Sequence, residues 1–566
     1  MTDVTEHVVV APPDLFEGEL KRCVSLRGLT MISLGSIIGS GWLLGALGAA
    51  TAAGPASLLS WILAGLILGA LALVHAELGA AYPLSGGTAR FPFLGFGALG
   101  GFTGGWMAWI QAVTIAPIEV EAALTYLEST SLHPGWVHAN GTLTGWGIVV
   151  AGIAMAVFVF INVMGVRWLA ESNNITMIWK LAVPTLTIIV LLIVSFTGSN
   201  FTAGGGFMPF GAKGVFAALP LGVVFALQGF EQAIQVAGES ANPQHDIHRA
   251  VIISMIVGVI IYLLLEVAFI GAINPKDVLH NWNNPIPGQG AFGPYASLAT
   301  AAGVGWLATI LYIDAVISPA GTGLVYSGTS ARTTYALSRV GYVPPALGQV
   351  DKRGVPFVSL IFCWVIGMLV FLPFPSWAGM VGLVTTATVL MYAMAPTSLA
   401  ALRRADPDRP RPYRLPAAKF LAPASFVCAN FIVYWAGWNV IFWLYIFIIF
   451  GFVVFFVYQA VAPPGRKLAI HWRNAAWIPP WLIGIGIISY LGQYPNSAPK
   501  SGWPFGITLL AKQTIPFWVD LGVVAAFSLA IYYFAVSLAM PTEFVRAAEA
   551  AADKESQLGG EPTLAV

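Results

Sequence analysis

Apolar runs of about bilayer-crossing length recur along almost the whole chain, and that recurrence leaves few folds open. Polar or Pro/Gly-rich breaks separate fourteen of them: 28–50, 56–81, 95–127, 145–166, 173–197, 213–238, 248–273, 296–329, 356–373, 377–402, 420–437, 440–461, 477–493 and 514–539. Lipid offers no hydrogen-bond partner to a backbone, so such segments cross a membrane only as helices or closed barrels. The expectation is an all-α integral membrane protein with about 14 transmembrane helices. Composition agrees, with 57% hydrophobic and 9% charged residues against about 25% charged in soluble domains. The third and eighth runs are long enough to tilt or to pass the membrane surface. Between the eleventh and twelfth only 437–439 marks a turn, and Pro479-Pro480 leave the start of the thirteenth open.

Charge sets the orientation. With the N-terminus inside, cytoplasmic segments hold twenty-one Lys and Arg and external segments four (Lys213, Lys276, Lys500, Lys512), Lys180 lying within a span. The positive-inside rule then places both termini in the cytoplasm of an inner-membrane protein. A net charge of +1 gives no reason to expect a nucleic-acid partner. Cys23, Cys363 and Cys428 are too few and scattered for a disulfide framework or a metal site. The 274–293 loop, rich in Pro, Gly and Asn, is either a cover for a pathway or a plain surface loop. The organisation expected is a cytoplasmic tail (1–27), a core (28–402), a basic loop (403–419), accessory helices (420–539) and a second cytoplasmic tail (540–566).

The first apolar run contains Gly35-Ser36-Ile37-Ile38-Gly39-Ser40-Gly41-Trp42-Leu43. Glycine and serine at this density invite a helix to come apart. Broken backbone at membrane depth survives where it lines a protein-enclosed cavity. Freed N–H groups at the start of the outer half would hold an anion, and freed C=O groups at the end of the inner half a cation. A zwitterion carries both charges, so the stretch reads as a socket for an amino acid. Taken alone, it reads equally as a helix whose glycines permit close packing. The sixth run has a second such stretch, Phe225-Ala226-Leu227-Gln228-Gly229-Phe230-Glu231. The second lies five helices after the first, and an odd offset inverts topology. Runs 28–197 and 213–402 are therefore expected to be 5+5 inverted repeats, each with its first helix broken at mid-membrane.

At these residues the chain resembles the amino acid–polyamine–organocation (APC) superfamily. The first stretch is similar to its first-helix signature. Ala76-Glu77-Leu78-Gly79, with Pro83 and Gly86-Gly87-Thr88-Ala89-Arg90-Phe91-Pro92, resembles its second-helix and loop motif. Phe225 to Glu231, followed by Ala237-Gly238-Glu239-Ser240-Ala241-Asn242-Pro243, resembles its sixth-helix motif. Ile118-Glu119-Val120, Ile313-Asp314-Ala315, Leu372-Pro373-Phe374-Pro375-Ser376-Trp377 and Ile432 to Trp438 are similar to the bacterial aspartate–proton symporter type. That type also has helices beyond the usual twelve. The resemblance implies transport of an amino acid, aspartate first, by symport with protons through alternating access. It also implies a lysine on the fifth helix beside the first break, where sodium-coupled relatives hold a cation; Lys180 stands there. Trp42 occupies a place where the family often has a smaller residue, and should narrow the outer side of the pocket.

The substrate site expected from the two breaks comprises Ile37, Ile38, Gly39, Ser40, Gly41 and Trp42 with Phe225, Ala226, Leu227, Gln228, Gly229 and Phe230. Backbone N–H groups near Gly39 and Gly41 would take the carboxylate. Carbonyls near Ile37, Ile38, Phe225 and Ala226 would take the ammonium, with Phe225 or Phe230 closing over it. A charge inside a membrane is costly unless it faces a cavity or partner. Lys180 either snorkels to the interface or pairs with carbonyls of Gly35–Ile38 and hydroxyls such as Ser318 to couple protons. Glu119 and Glu231 are the next coupling candidates, Glu119 reading equally as an interhelical hydrogen-bond partner. Glu121, two residues on, points to another face. Glu77 is expected to cap the nearby Gly-rich loop or pair with Arg90, and Asp314 to pair with a cation or carry a proton.

Lys180 is the one Lys or Arg well inside a span, so a second substrate carboxylate lacks an obvious basic partner. The alternatives are therefore a proton-coupled neutral amino acid permease or an exchanger and, in another class, a non-transporting sensor. No metal cluster, nucleophile–base motif or phosphate loop stands out, so neither an enzyme nor a cofactor is expected. The partners expected are the amino acid, protons and membrane lipid, with no obligatory protein partner.

Overall fold

The computed structural model describes residues 24–83, 86–164, 166–351, 355–374, 376–494 and 511–548, without the side chains of 166–175, 238 and 465. Most of both expected tails, and the external segment carrying Lys500, lie outside these residues. Within them the chain is helical, with no strand beyond two isolated bridges. The first part runs α1 (Leu26–Ile37), α2 (Gly41–Ala53), α3 (Ser57–Ala81), α4 (Gly87–Glu128), α5 (Gly145–Met164) and α6 (Val166–Val194). Next come α7 (Gly211–Ala218), α8 (Val224–Leu227), α9 (Gln232–Gln235), α10 (Pro243–Ala272), α11 (Pro275–Val278), α12 (Pro294–Ala301) and α13 (Gly305–Val340). The remainder is α14 (Phe357–Phe371), α15 (Trp377–Ala405), α16 (Ala418–Trp435), α17 (Trp438–Val461), α18 (Trp472–Ala475), α19 (Ile478–Leu491) and α20 (Phe517–Ser537). Among the described residues eleven helical segments are long and apolar enough to cross a membrane, Gly41–Ala81 counting as one. Leu26–Ile37, Gly211–Leu227 and Phe357–Phe371 are apolar but shorter.

Two helices form the centre. In α4 and α15 the most apolar window is 94% and 89% buried, against 28% in α17. An apolar helix enclosed on every side belongs to the core, and one largely exposed belongs to the lipid-facing rim.

Several element ends differ from expectation. Residues 87–96 form a short helical piece after the left-handed cap Gly86, where a loop is expected, and the longer piece of α4 starts beyond Gly97, close to the expected 95. Gly97, at φ +76° and ψ −164°, leaves helical geometry and divides α4 into two helical pieces across a kink. Gly303, at φ +78°, divides the expected eighth run into α12 and α13. The expected turn between the eleventh and twelfth runs is present: α16 stops at Trp435, Gly437 takes φ +84°, and α17 starts at Trp438.

The last helices pack onto the core at a defined place. Phe216 of α7 stacks flat on Trp435 of α16, with ring centroids 4.7 Å apart and planes 4° from parallel. Tyr494 adds a hydrogen bond from its hydroxyl to the Lys213 carbonyl at 2.7 Å. On another side, the buried Glu77 carboxylate accepts hydrogen bonds from Arg403 and from Leu415 N–H, and lies 3.4 Å from Arg411 Nε. It thus ties α3 to the end of α15 and the basic loop beyond it.

Candidate functional site

The first helix breaks where its sequence is weakest. α1 ends at Ile37, Ile38 leaves helical geometry (φ −93°, ψ 90°), and α2 starts at Gly41. A helix end frees its last carbonyls and the next start frees its first amides. Here side chains from distant helices satisfy them. The Lys180 ammonium on α6 donates to the Gly35 carbonyl at 2.9 Å and to Thr322 Oγ1 at 2.6 Å. Tyr262 of α10 donates to the Ile37 carbonyl at 2.8 Å. Glu119 of α4 accepts from the Ser40 N–H at 2.8 Å, and Trp377 of α15 donates to Ser40 Oγ at 3.1 Å.

A cation therefore sits on a freed carbonyl and an anion on a freed amide, both supplied by the protein. The charges follow the polarity of the two half-helices. Lys180 is 3% exposed and turned inward onto the break, so it does not snorkel. Thr322 takes the place expected of Ser318, which instead donates to Asp314 Oδ1 at 2.5 Å. Asp314 also accepts from Trp179 Nε1 at 2.7 Å.

The second break is built differently. α7 passes into a π-helical turn, Leu219–Val223, in which Gly222 has φ +133°. After α8 the chain is non-helical through Gln228, Gly229 (φ +121°) and Phe230, and α9 resumes at Gln232. One carboxylate organises this gap. Glu231 accepts from Gln111 Nε2 at 2.9 Å, from Gly229 N–H at 3.0 Å and from the Tyr392 hydroxyl, all neutral donors. Phe230 packs against Tyr392 and His75, while Phe225 meets the edge of Trp377 with centroids 5.9 Å apart.

The breaks touch each other. A Cβ on Gly41 would lie 2.8 Å from Ala226 Cα, and one on Gly229 would lie 2.7 Å from the Ser36 carbonyl carbon. A Cβ on Gly39 would lie 2.7 Å from Glu119 Oε1 and 3.1 Å from Thr322 Oγ1. Gly41 thus serves close packing of half-helix on half-helix, and Gly39 makes room for the Glu119 carboxylate. Ser33 spans the two segments, donating to the Phe230 carbonyl and accepting from Ala233 N–H, each at 3.2 Å.

The structure thus brings Ile37, Ile38, Gly39, Ser40 and Gly41 together with Ala226, Gly229 and Phe230, and sets Glu119 and Lys180 beside the first group. Trp42 is buried against Tyr295, its ring 5.5 Å away, and its indole N–H has no hydrogen-bond partner. Leu227 is buried at the end of α8. Glu121 is buried without a hydrogen-bond partner. Thr322, Tyr262, Trp377, Gln111 and Tyr392 were not anticipated. For Thr322 a signal existed, because Asp314, Ser318 and Thr322 form a polar i, i+4, i+8 line on an apolar helix. A groove lined by Ile178, Trp179, Ala182, Thr185, Ile189 and Ile310 lies on the outer flank of α6, away from the breaks.

Comparison with known proteins adds an independent line. The amino acid permease family model matches residues 24–485. The chain is 34% identical over 537 residues to the glutamate/serine transporter AimA of Bacillus subtilis (strain 168), covering 94% of this chain and 96% of that protein. It is 36% identical over 530 residues to the aspartate-proton symporter of the same organism, covering 93% and 98%. The branched-chain amino acid permease BcaP, also from B. subtilis, is 28% identical over 459 residues, or 78% of this chain and 94% of that one.

Proposed function

This chain belongs to the amino acid permease family of the APC superfamily, and from that premise we propose that it imports an acidic amino acid, aspartate first and glutamate next, together with protons. Relatives named for aspartate–proton symport and for glutamate and serine support that choice of substrate. The observation that carries the reading is the pair of protein charges on the first break. Lys180 holds the Gly35 carbonyl and Glu119 holds the Ser40 amide. An amino acid's ammonium and carboxylate would use the same two poles. Substrate arrival then competes with Glu119 for the Ser40 amide. A proton on Glu119, or one lost from Lys180, would loosen the inner and outer halves of the first helix from their neighbours. Ile37, Ile38, Gly39, Ser40, Gly41 and Trp42 form one wall of this site, and Phe225 to Phe230 the other. Lys180 and Glu119 act as the primary coupling pair, and Glu231 holds the second break.

In this reading α1 with α2 is one crossing and α3 the next. Gly211–Leu227 and Phe357–Phe371 cross as well, which gives fourteen. Residues 28–197 and 213–402 are the inverted repeats, 403–419 a cytoplasmic loop and 420–539 the accessory helices. The protein sits in the inner membrane with both termini in the cytoplasm. One observation favours a neutral substrate as the second reading: Lys180 is already engaged by Gly35 and Thr322, so it does not offer a spare charge to a side-chain carboxylate. Uptake of labelled aspartate into proteoliposomes, with and without an inward proton gradient, tests the proposal. Accumulation only with the gradient supports symport. Exchange against internal substrate without it supports an antiporter, and no uptake with preserved binding supports a sensor.

A further inference from the structure

Gln228 lies in the second break, one residue before Gly229, the glycine pressed against Ser36. Its side chain is 4% exposed, yet neither its amide nitrogen nor its amide oxygen has a hydrogen-bond partner. A buried carboxamide can donate twice and accept twice, and nearly all such groups in folded proteins find partners. The neighbouring polar groups do not use it. Glu231 takes its hydrogen bonds from Gln111, Gly229 and Tyr392, and the first break is served by Lys180, Glu119 and Tyr262. An idle amide at the junction of the two breaks is a feature of a site for a polar ligand group.

We propose that the Gln228 side-chain amide is the specificity-determining group that reads the planar end of the substrate's side chain, pairing with an un-ionised carboxyl or a carboxamide. The inference rests on the breaks being the amino acid site. A planar amide matches such a head at two points. Its Nε2–H donates to the substrate carbonyl oxygen, and its Oε1 accepts from the substrate's O–H or N–H. An ionised carboxylate makes only the first bond and turns a second oxygen toward Oε1. An acidic amino acid would therefore enter with its side-chain proton in place, carried from one side to the other with the substrate. This gives an acidic substrate a partner that needs no cation beyond Lys180.

The test is competition against a labelled substrate in proteoliposomes at one fixed pH, with aspartate, glutamate, asparagine, glutamine and alanine as competitors. Wild type should favour the carboxyl and carboxamide heads over alanine by roughly tenfold or more, the worth of about two hydrogen bonds. Gln228→Met, of similar size, should bring all five competitors within about threefold of one another. Gln228→Glu, which keeps the shape and an acceptor at Oε1 and so guards against a folding defect, should still favour the un-ionised carboxyl and carboxamide heads over alanine. A Gln228→Met protein that keeps the wild-type ranking overturns the inference. If no amino acid competes in wild type, the amino acid site itself is wrong and this assignment falls with it.

Discussion

The two helix breaks do the same mechanical job with opposite chemistry. The first, at Ile38–Ser40, is held by a full cation and a full anion from other helices, Lys180 and Glu119. The second, at Gln228–Phe230, is held by one carboxylate among neutral donors, one of them the Gly229 amide only two residues away. In the proposed cycle, a proton on either partner of this pair, shared among α4, α6 and the first break, would be felt by several helices. Glu231 also reaches α4 through Gln111 and α15 through Tyr392, but every one of these donors is neutral and one is the amide of its own loop. Under the proposed function, switching would fall to the first break and shape to the second.

The most severe way to break this contrast is to separate the breaks. Gly41→Val puts a branched side chain against the Ala226 backbone, where overpacking costs about 1–3 kcal/mol even when neighbours relax. Substrate binding should be abolished while membrane insertion and size-exclusion behaviour persist; near-normal affinity would show that the breaks need not touch. Next in size, Lys180→Ala should lose proton-driven accumulation in proteoliposomes yet keep binding within about tenfold. Concentrative uptake driven by protons alone in that variant would move the coupling site to Glu119 or Glu231.

A smaller effect sharpens the second break. Glu231→Gln removes the charge and keeps the shape, and a hydrogen bond to a charged group is worth about 1.5–3 kcal/mol. The expected outcome is a lower thermal unfolding midpoint in detergent with the response of uptake to a proton gradient unchanged. A flattened proton response would give Glu231 a switching role. Smallest of all, Trp377→Phe deletes the hydrogen bond to Ser40 Oγ and keeps most of the ring packed on Phe225. Loss of one neutral hydrogen bond, about 0.5–1.5 kcal/mol, should weaken substrate binding by a few-fold in a direct binding assay.

What the sequence made legible was the position of the breaks, because two glycine- and polar-rich stretches at an odd helix offset fit interrupted helices better than two unrelated kinks. Lys180 stood out for the same reason, being the one basic residue well inside a span. Its partner Thr322 was hidden among many hydroxyls on α13, and a hydroxyl in an apolar helix commonly bonds its own turn. Tyr262, Trp377 and Tyr392 look like ordinary core aromatics until the fold puts them on a freed carbonyl, a serine and a carboxylate. The Gly39 and Gly41 spacing suggested open backbone for a ligand, whereas their bare faces meet Glu119 and Ala226. Periodicity within one run carries no information about which distant helix lies across from it. Glu77 shows the same limit: its Arg403 partner is 326 residues away.

The stack of Phe216 on Trp435 has a consequence for anyone who would cut this protein down. Two rings lying flat at 4.7 Å share their largest apolar faces, and α7 leads through the Leu219–Val223 turn into the second break. A version ending before α16 would leave that face of Phe216 bare, along with the Lys213 carbonyl that Tyr494 serves. Any swing of α7 must either slide one ring across the other or drag α16 with it. If the second break hinges in the proposed transport cycle, α16 and Tyr494 would load that motion as a damper loads a door. In the proposed cycle, replacing everything from α16 onward with a shorter relative's tail would change how fast the door swings before it changed what passes through.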